Sequence, residues 1–269
     1  MSDSFLRRHM AWLAVARRIY RWLQPLRVHP LAAFTGYVRL FNDWQKYRRL
    51  GGQAALADMY PCLFDRVGAT PIDPQYFYQA AWAVRNISRN APQHHVDVGS
   101  DVRYVGMLSQ VVPVTFVDIR PLQVHLPGLD CQGGTVLALP YPDASVHSLS
   151  CLHVVEHVGL GRYGDPLDPL GTEKACRELQ RVLAVGGFLY LSAPVGQSRV
   201  QFNGQRVQSV EGLLKLFPEL TLVEMALVDP DGRFHSSLEV SQAVRFSCQA
   251  GYLDYALACF VLTRTSELE

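Results

Sequence analysis

Three side chains able to move a proton or hold a cation stand within five residues: His153, Glu156 and His157. Their spacing is formally HxxEH, a zinc-peptidase pattern when it lies on a helix. Here Ser148–Leu152 reads as a buried strand, Gly159 and Gly161 follow at once, and no third ligand is identifiable, so no metal ligand is assigned. The chemistry that suits the three is acid–base. A histidine with a near-neutral pKa takes a proton from a sugar or phenol hydroxyl, while Glu156 orients it or shares a divalent ion with it. The competing structural reading makes one histidine a turn cap and the other a buried core group. Next comes a stiff Gly- and Pro-rich loop with Arg162, Tyr163 and Asp165, and beyond it Asn203 and Arg206 in FNGQR. These five are the candidates for holding an acceptor, because an arginine fork suits carboxylate or phosphate. The alternatives are a connector in which Arg162 pairs with Asp165, and a solvated Arg206. Asp118 ends the apolar run VTFVD, where a carboxylate accepts two hydrogen bonds from ribose hydroxyls; otherwise it is a surface acid. Asp97, Gly99 and Ser100 form a second strand end, at which a glycine lets the backbone turn sharply past a ligand. No GxGxxG is present, which argues against a dinucleotide.

These groups need elements to position them. The apolar runs predict strands at 94–99, 114–118, 147–152 and 187–193, with late strands at 220–229 and 255–265. Helices are predicted over 74–90, 103–110, 172–184 and 209–217, and Gly186-Gly187 reads as the left-handed stop of the third. The row Tyr76, Phe77, Tyr78 and Trp82 reads as core. Residues 126–135 read as turns, and 230–254 show no readable pattern. Strands that each end in polar groups describe the ligand edge of an open α/β sheet.

That order of strands resembles class I S-adenosylmethionine (SAM) dependent methyltransferases. More narrowly, the chain resembles an uncharacterised methyltransferase-like family whose members often occur among bacterial surface-polysaccharide and lipopolysaccharide genes. The resemblance rests on YRRLGG (47–52), DPQYFYQAAW (73–82), VDVGS, VPVTFVDIRPL (112–122), SLSCLHVVEHVGLGRYGDPLDP (148–169), ELQRVLAVGGFLYLSAPVG (178–196) and FNGQR (202–206), and covers roughly residues 40–225. It implies an α/β fold with a Rossmann-like, mostly parallel sheet closed by an antiparallel strand, and SAM as cofactor with S-adenosylhomocysteine as product. A divalent metal stays open. The implied cofactor residues are Asp97, Gly99, Ser100, Asp118, Ile119, Thr135, Val136 and Cys151. The implied reaction is O-methylation of a sugar, nucleotide sugar or lipid-linked glycan, with His153 or His157 as base and Glu156 as orienter. The alternative is a non-catalytic module of the same fold that binds a nucleotide or partner protein. Two departures bear on this. Asp101 and Arg103 stand where methyltransferases typically carry glycines, and side chains there would fill space that glycine leaves open. Gly204-Gln205 stands where the family tends to carry Ala-His.

The 269 residues are 49% hydrophobic and 18% charged, which suits one globular α/β domain with an appendage. Nothing in the composition suggests a collagenous, disordered or membrane-spanning class. Residues 1–50 hold ten Lys/Arg against two acids, and the remainder is acidic, so a basic arm (1–50) precedes the α/β domain (51–269). Residues 5–26 are periodic for a helix ended by Pro25 and Pro30, with Phe5, Trp12, Ile19 and Leu26 on one arc and arginines opposite. Such a helix either packs on its own domain or lies, through residues 1–30, on an anionic membrane surface. No nucleic-acid recognition motif accompanies the charge, so none is expected as partner. Six cysteines without CxxC spacing suggest a reducing, cytoplasmic compartment, with the inner face of the membrane as the peripheral variant.

Overall fold

The computed structural model describes residues 16, 18–249, 251–252 and 254–265. The chain divides into two compact units, Met1–Pro71 and Ile72–Glu269, so the division falls after Pro71 where composition placed it at Gly51. In the first unit, residues 18–28 are helical and α1 runs Pro30–Arg49. Pro25 therefore lies inside a helix instead of ending one: the backbone N–H of His29 still donates to its carbonyl at 3.0 Å. The break falls at His29, and Pro30 opens the next helix at its first position, where no N–H is needed. Phe5 and Trp12 lie outside the described residues. Within the unit, Trp22 stacks on Tyr37 with ring centroids 5.5 Å apart, and Arg39 reaches the Leu63 carbonyl at 2.5 Å. Ile19, Tyr20, Leu23, Leu26, Leu31 and Phe34 are exposed.

The second unit is built on an eight-stranded sheet. In chain order its strands are β1 (His95–Val98), β2 (Val114–Asp118), β3 (Leu129–Gly133), β4 (Val146–Leu152), β5 (Leu183–Val195), β8 (Thr221–Val228), β9 (Phe234–His235) and β10 (Ala256–Thr263). A hairpin of β6 (Arg199–Gln201) and β7 (Gln205–Val207) stands apart from it. The sheet order is β3-β2-β1-β4-β5-β10-β8-β9. The first five strands are parallel, with Val96 level with Thr115 and with Leu149; β10 runs antiparallel to both β5 and β8. β1 and β10 are buried almost throughout, as strands covered on both faces must be, which explains their unbroken apolar runs.

Alternation along β5 sorts the core into two layers. Tyr190 joins Trp82 and Ile87 of α2 (Pro74–Asn90) and Tyr104 and Leu108 of α3 (Val102–Leu108) on one face. Leu189 and Leu191 join Cys176 and Leu179 of α4 (Gly171–Val182), Leu213 of α5 (Val210–Leu214) and Ala243 of α6 (Val240–Cys248) on the other. At about 25 cal/mol per Å² of buried apolar area, layers of this kind are the main favourable term in folding.

Four local expectations change. Residues 126–135 hold the edge strand β3, whose half-exposed LDCQG offers too short an alternation to read. α4 ends at Val182, with Leu183 already extended, so Gly186 is not its stop. Gly186 (φ +75°) instead turns the chain where the β4–β5 register shifts, and its N–H donates to the Arg264 carbonyl at 2.7 Å. The 209–217 helix shortens to α5, capped by Ser209 accepting from the Gly212 N–H. Residues 230–254 contribute β9 and α6. The sheet order reverses between β1 and β4, so the crevice of this architecture opens at the carboxyl ends of those strands.

Candidate functional site

A cavity of about 490 Å³ lies at that crevice, within the ~300–1,000 Å³ range of small-ligand sites. Its wall follows the strand ends: Val98 and Gly99 after β1, Val117 to Arg120 at and beyond the end of β2, Gly134 to Leu137 after β3, and His153 and Val154 after β4. The loop from His157 to Pro166 closes it. Of the sequence-predicted residues, Gly99, Asp118, Ile119, Thr135, Val136, His153, His157, Tyr163 and Asp165 meet around this one space.

Gly99 has φ +71°, a region that costs an L-residue about 1–2 kcal/mol, and a Cβ there would sit 3.2 Å from Val154 and 3.8 Å from Asp118 Oδ2. Its bare Cα thus keeps open the space beside the Asp118 carboxylate. Asp118 Oδ1 accepts from the Arg120 N–H at 2.7 Å, which fixes the side chain and leaves Oδ2 toward the glycine. The Arg120 guanidinium lies 4.4 Å from the Tyr163 ring centre, a cation–π contact roofing this end.

The remaining cofactor residues sit behind the wall. Asp97 is fully buried: Oδ1 accepts from the Ser100 N–H (3.1 Å), and Oδ2 from the hydroxyls of Ser100 (2.7 Å) and Ser150. The Ser100 hydroxyl also accepts from the Leu152 N–H at 3.0 Å. Both residues spend their polar atoms pinning the Gly99 turn to β4, so assigning them direct ligand contact is corrected to a supporting place. Burial raises the Asp97 carboxyl to about 6, against the lowering effect of its serine hydrogen bonds. The same burial, with His94, lowers His95 to about 3, and its neutral ring spans the Ser148 and Ser150 hydroxyls at 2.7 and 2.8 Å. Cys151 is also corrected: it is a core residue in the layer with Cys176, and burial drives its thiol pKa upward. Asp101 and Arg103 do not fill the pocket. They pair with each other at 2.8 Å at the start of α3, outside the cavity lining.

At the opposite end stands the His153–Glu156–His157 cluster. His153 directly follows β4, and Glu156 and His157 lie on a single 3-10 turn, Val155–His157, and not on an α-helix. His153 takes φ +61°, rare for a side-chain-bearing residue, while its N–H donates to the Ser192 carbonyl of β5 at 2.9 Å. Its ring stacks with those of Tyr76 (5.4 Å) and His157 (5.9 Å). Its Nδ1 hydrogen-bonds Glu156 Oε1, and His157 Nε2 lies 3.8 Å from the same oxygen. His157 Nδ1 is 2.7 Å from the Gly204 carbonyl, to which it can only donate, so the lone pair is on Nε2. Burial lowers the His157 pKa, offset in part by Glu156, so its ring is neutral at pH 7.

The acceptor candidates divide. Tyr163 and Asp165 line the cavity. Asp165 does not pair with Arg162; its carboxylate accepts from the N–H groups of Gly159 (2.6 Å) and Tyr163 (3.3 Å) and stiffens its own loop. Arg162 is exposed and turns to the Gly204 carbonyl at 3.3 Å, and Asn203 is an exposed residue of the β6–β7 turn; neither lines the cavity. Arg206 is corrected. It is buried, and its guanidinium donates to the carbonyls of Val158, Asp168 (2.9 Å) and Pro169 (3.4 Å) and to the Thr172 hydroxyl (3.3 Å). Both terminal nitrogens of that fork hold residues 158–172, which leaves them no place in ligand binding. Sequence reading missed Tyr76, Arg120 and the Gly204 carbonyl. DPQYFY held Tyr76 in plain view, but its row read as core; a carbonyl has no residue signature.

The family described as "Caenorhabditis protein of unknown function, DUF268" matches residues 144–225, less than a third of the chain but including the whole HxxEH loop. No curated protein matches the sequence. Among solved structures, a sarcosine dimethylglycine methyltransferase candidate from Galdieria sulphuraria is similar at 13% identity and TM-score 0.51, covering 71% of this chain and 86% of its own. N-methyltransferase NodS from Bradyrhizobium japonicum, in complex with S-adenosyl-L-homocysteine, is similar at 15% identity and TM-score 0.49, over 75% and 91%. The 4+2 cyclase SpnF is similar at 13% identity and TM-score 0.49, over 92% and 95%. At these identities the likeness is one of fold alone: with the Galdieria structure the chain shares a Rossmann-like, mostly parallel sheet of the class I methyltransferase type.

Proposed function

We propose that the protein is a SAM-dependent O-methyltransferase acting on a sugar, nucleotide sugar or lipid-linked glycan in surface-polysaccharide assembly. The observation that carries this reading is one cavity with a ribose-type carboxylate, Asp118, at one end and a neutral, proton-accepting histidine, His157, at the other. The residues present fit the cofactor. Gly99 leaves the space that a nucleoside needs beside Asp118 Oδ2, while Val98, Val117, Val136 and Leu137 offer apolar walls for a base. Bound SAM supplies a methyl group on a cationic sulfur that leaves as a neutral thioether. Asp118 would accept from the ribose hydroxyls, and the backbone of 134–137 would meet the base edge. His157 would take the acceptor's proton on Nε2, with the Gly204 carbonyl holding its tautomer, and Glu156 would stabilise the charge that results. Most of the acceleration would come from aligning oxygen, methyl and sulfur.

The non-catalytic alternative drew its support from Asp101 and Arg103. With those side chains paired to each other outside the cavity, it keeps no specific observation in its favour. The glycan acceptor rests on the resemblance of the 148–169 motif, and the peripheral membrane partner on the basic, apolar first unit.

Calorimetry of Asp118→Ala should show SAM affinity reduced roughly 10- to 100-fold, the worth of one or two hydrogen bonds to a charged acceptor. His157→Ala should bind SAM normally yet fail to methylate any sugar acceptor that wild type accepts. Unchanged affinity in the first variant would remove the ribose assignment.

A further inference from the structure

The HxxEH cluster has a feature that acid–base work leaves unexplained. Glu156 is only 2% exposed, and while Oε1 is engaged by His153, Oε2 is buried with no hydrogen-bond partner among the described residues. A carboxylate with one oxygen stranded in the interior costs several kcal/mol unless a positive group meets it. The His157 lone pair is on Nε2, 3.8 Å from Oε1 of that carboxylate, because Nδ1 is tied to the Gly204 carbonyl. A ring N–H tied to a backbone carbonyl, with the other nitrogen left as a donor, is the arrangement by which proteins orient metal-binding histidines. One donor atom from each of His153, Glu156 and His157 lies within 4.8 Å of the others, and His157 Nε2 is 3.8 Å from Glu156 Oε1. Two donors about 2.1 Å from one ion stand about 3.0–3.5 Å apart, so small side-chain adjustments close the set. The left-handed backbone of His153 adds a third sign of a site held in place against local preference.

We propose that His153, Glu156 and His157 bind one divalent first-row transition-metal ion in the wall of the cavity. Two imidazoles and one carboxylate favour zinc, manganese, iron or cobalt over magnesium and calcium, which prefer all-oxygen sets. His153 and His157 line the cavity while Glu156 lies behind them, so the ion's open positions face the space. Two neighbouring oxygens of one acceptor, as in a vicinal diol, would fill them; this acceptor assignment rests on the methyl-transfer reading, whereas the ion site does not. With an ion in place the imidazoles would be ligands and no longer the base; the ion would lower the pKa of a bound hydroxyl, whose proton would pass to solvent water.

The test uses the full chain, stripped with a chelator and checked for folding by circular dichroism. It is titrated with Co²⁺ by visible absorption and with Zn²⁺ by calorimetry. The expected result is one ion per chain, no competition from Mg²⁺, and affinity at least about 100-fold weaker in Glu156→Gln and His157→Ala. His125→Ala serves as a control for surface binding and should bind as wild type does. No stoichiometric binding by folded wild type, or binding unchanged in both cluster variants, overturns the site. Should a variant fail to fold, the wild-type Co²⁺ spectrum decides: bands of an imidazole-ligated ion uphold the site, and those of hydrated Co²⁺ overturn it. A parallel titration with S-adenosylhomocysteine separates the two readings. Ion binding without it sinks methyl transfer and keeps the site; its binding without an ion keeps methyl transfer and leaves His157 as base.

Discussion

Beneath the Gly99 turn, Asp97 and His95 share the Ser150 hydroxyl, and their buried positions push their pKa values in opposite directions. Asp97 rises from 3.8 to about 6, so the folded form holds an extra proton in that window and loses stability as pH climbs through it. His95 falls from 6.5 to about 3, so the unfolded form holds the extra proton and stability is lost as pH drops. Between pH 4 and 6 the two slopes cancel. Asp97→Asn removes one of them, and its stability relative to wild type should improve by about 2–3 kcal/mol between pH 4 and pH 7 in urea unfolding. A constant offset across that range would show that Asp97 is not perturbed. Sequence legibility at this scale followed strand ends. Asp118, His153 and His157 were readable because each closes or follows an apolar run with a polar group. Tyr76 was not, since nothing local ties it to a histidine 77 residues later, on which it stacks.

The element that shapes the site most is the loop from Val158 to Pro169. Gly159, at φ +81°, passes so close to the Asp168 carbonyl that a Cβ would lie 2.2 Å from it. Asp165 and Arg206 then fasten the loop from inside, one through N–H groups and one through carbonyls. Arg206→Ala strands several carbonyls and should cost about 2–4 kcal/mol in denaturant unfolding, with faster proteolysis within 158–169. Arg206→Lys should recover only part, for lack of the planar fork. A loss under about 0.5 kcal/mol would return Arg206 to the status of a solvated arginine. The loop's rigidity was legible from its Gly and Pro residues. Arg206's use was not: a buried and an exposed arginine look alike until the chain is folded over them. The edge strand β3 escaped for a similar reason, because half-exposed pairing at a sheet edge needs little apolar patterning.

At the scale of the molecule, a basic first unit with exposed Ile19, Leu23, Leu26, Leu31 and Phe34 accompanies the α/β unit. Among the described residues no helix is long and apolar enough to cross a membrane. A peripheral role predicts that full-length protein binds vesicles containing anionic lipid, that raising salt from 0.05 to roughly 0.5 M weakens the binding, and that deleting residues 1–30 lowers it at least about tenfold. Equal binding by the shortened chain would dismiss that role. The parallel sheet was legible nearly strand by strand because buried strands repeat their apolar signal, whereas the helix through Pro25 defied a local rule that one lost N–H is too weak to enforce. The proposed function requires that the cavity bind SAM. Titration of the folded, full-length protein with SAM and with S-adenosylhomocysteine by calorimetry tests it most directly. Binding of both in the micromolar range at one site per chain, weakened roughly 10- to 100-fold in Asp118→Ala, is the predicted result; heat indistinguishable from dilution for both ligands would contradict it.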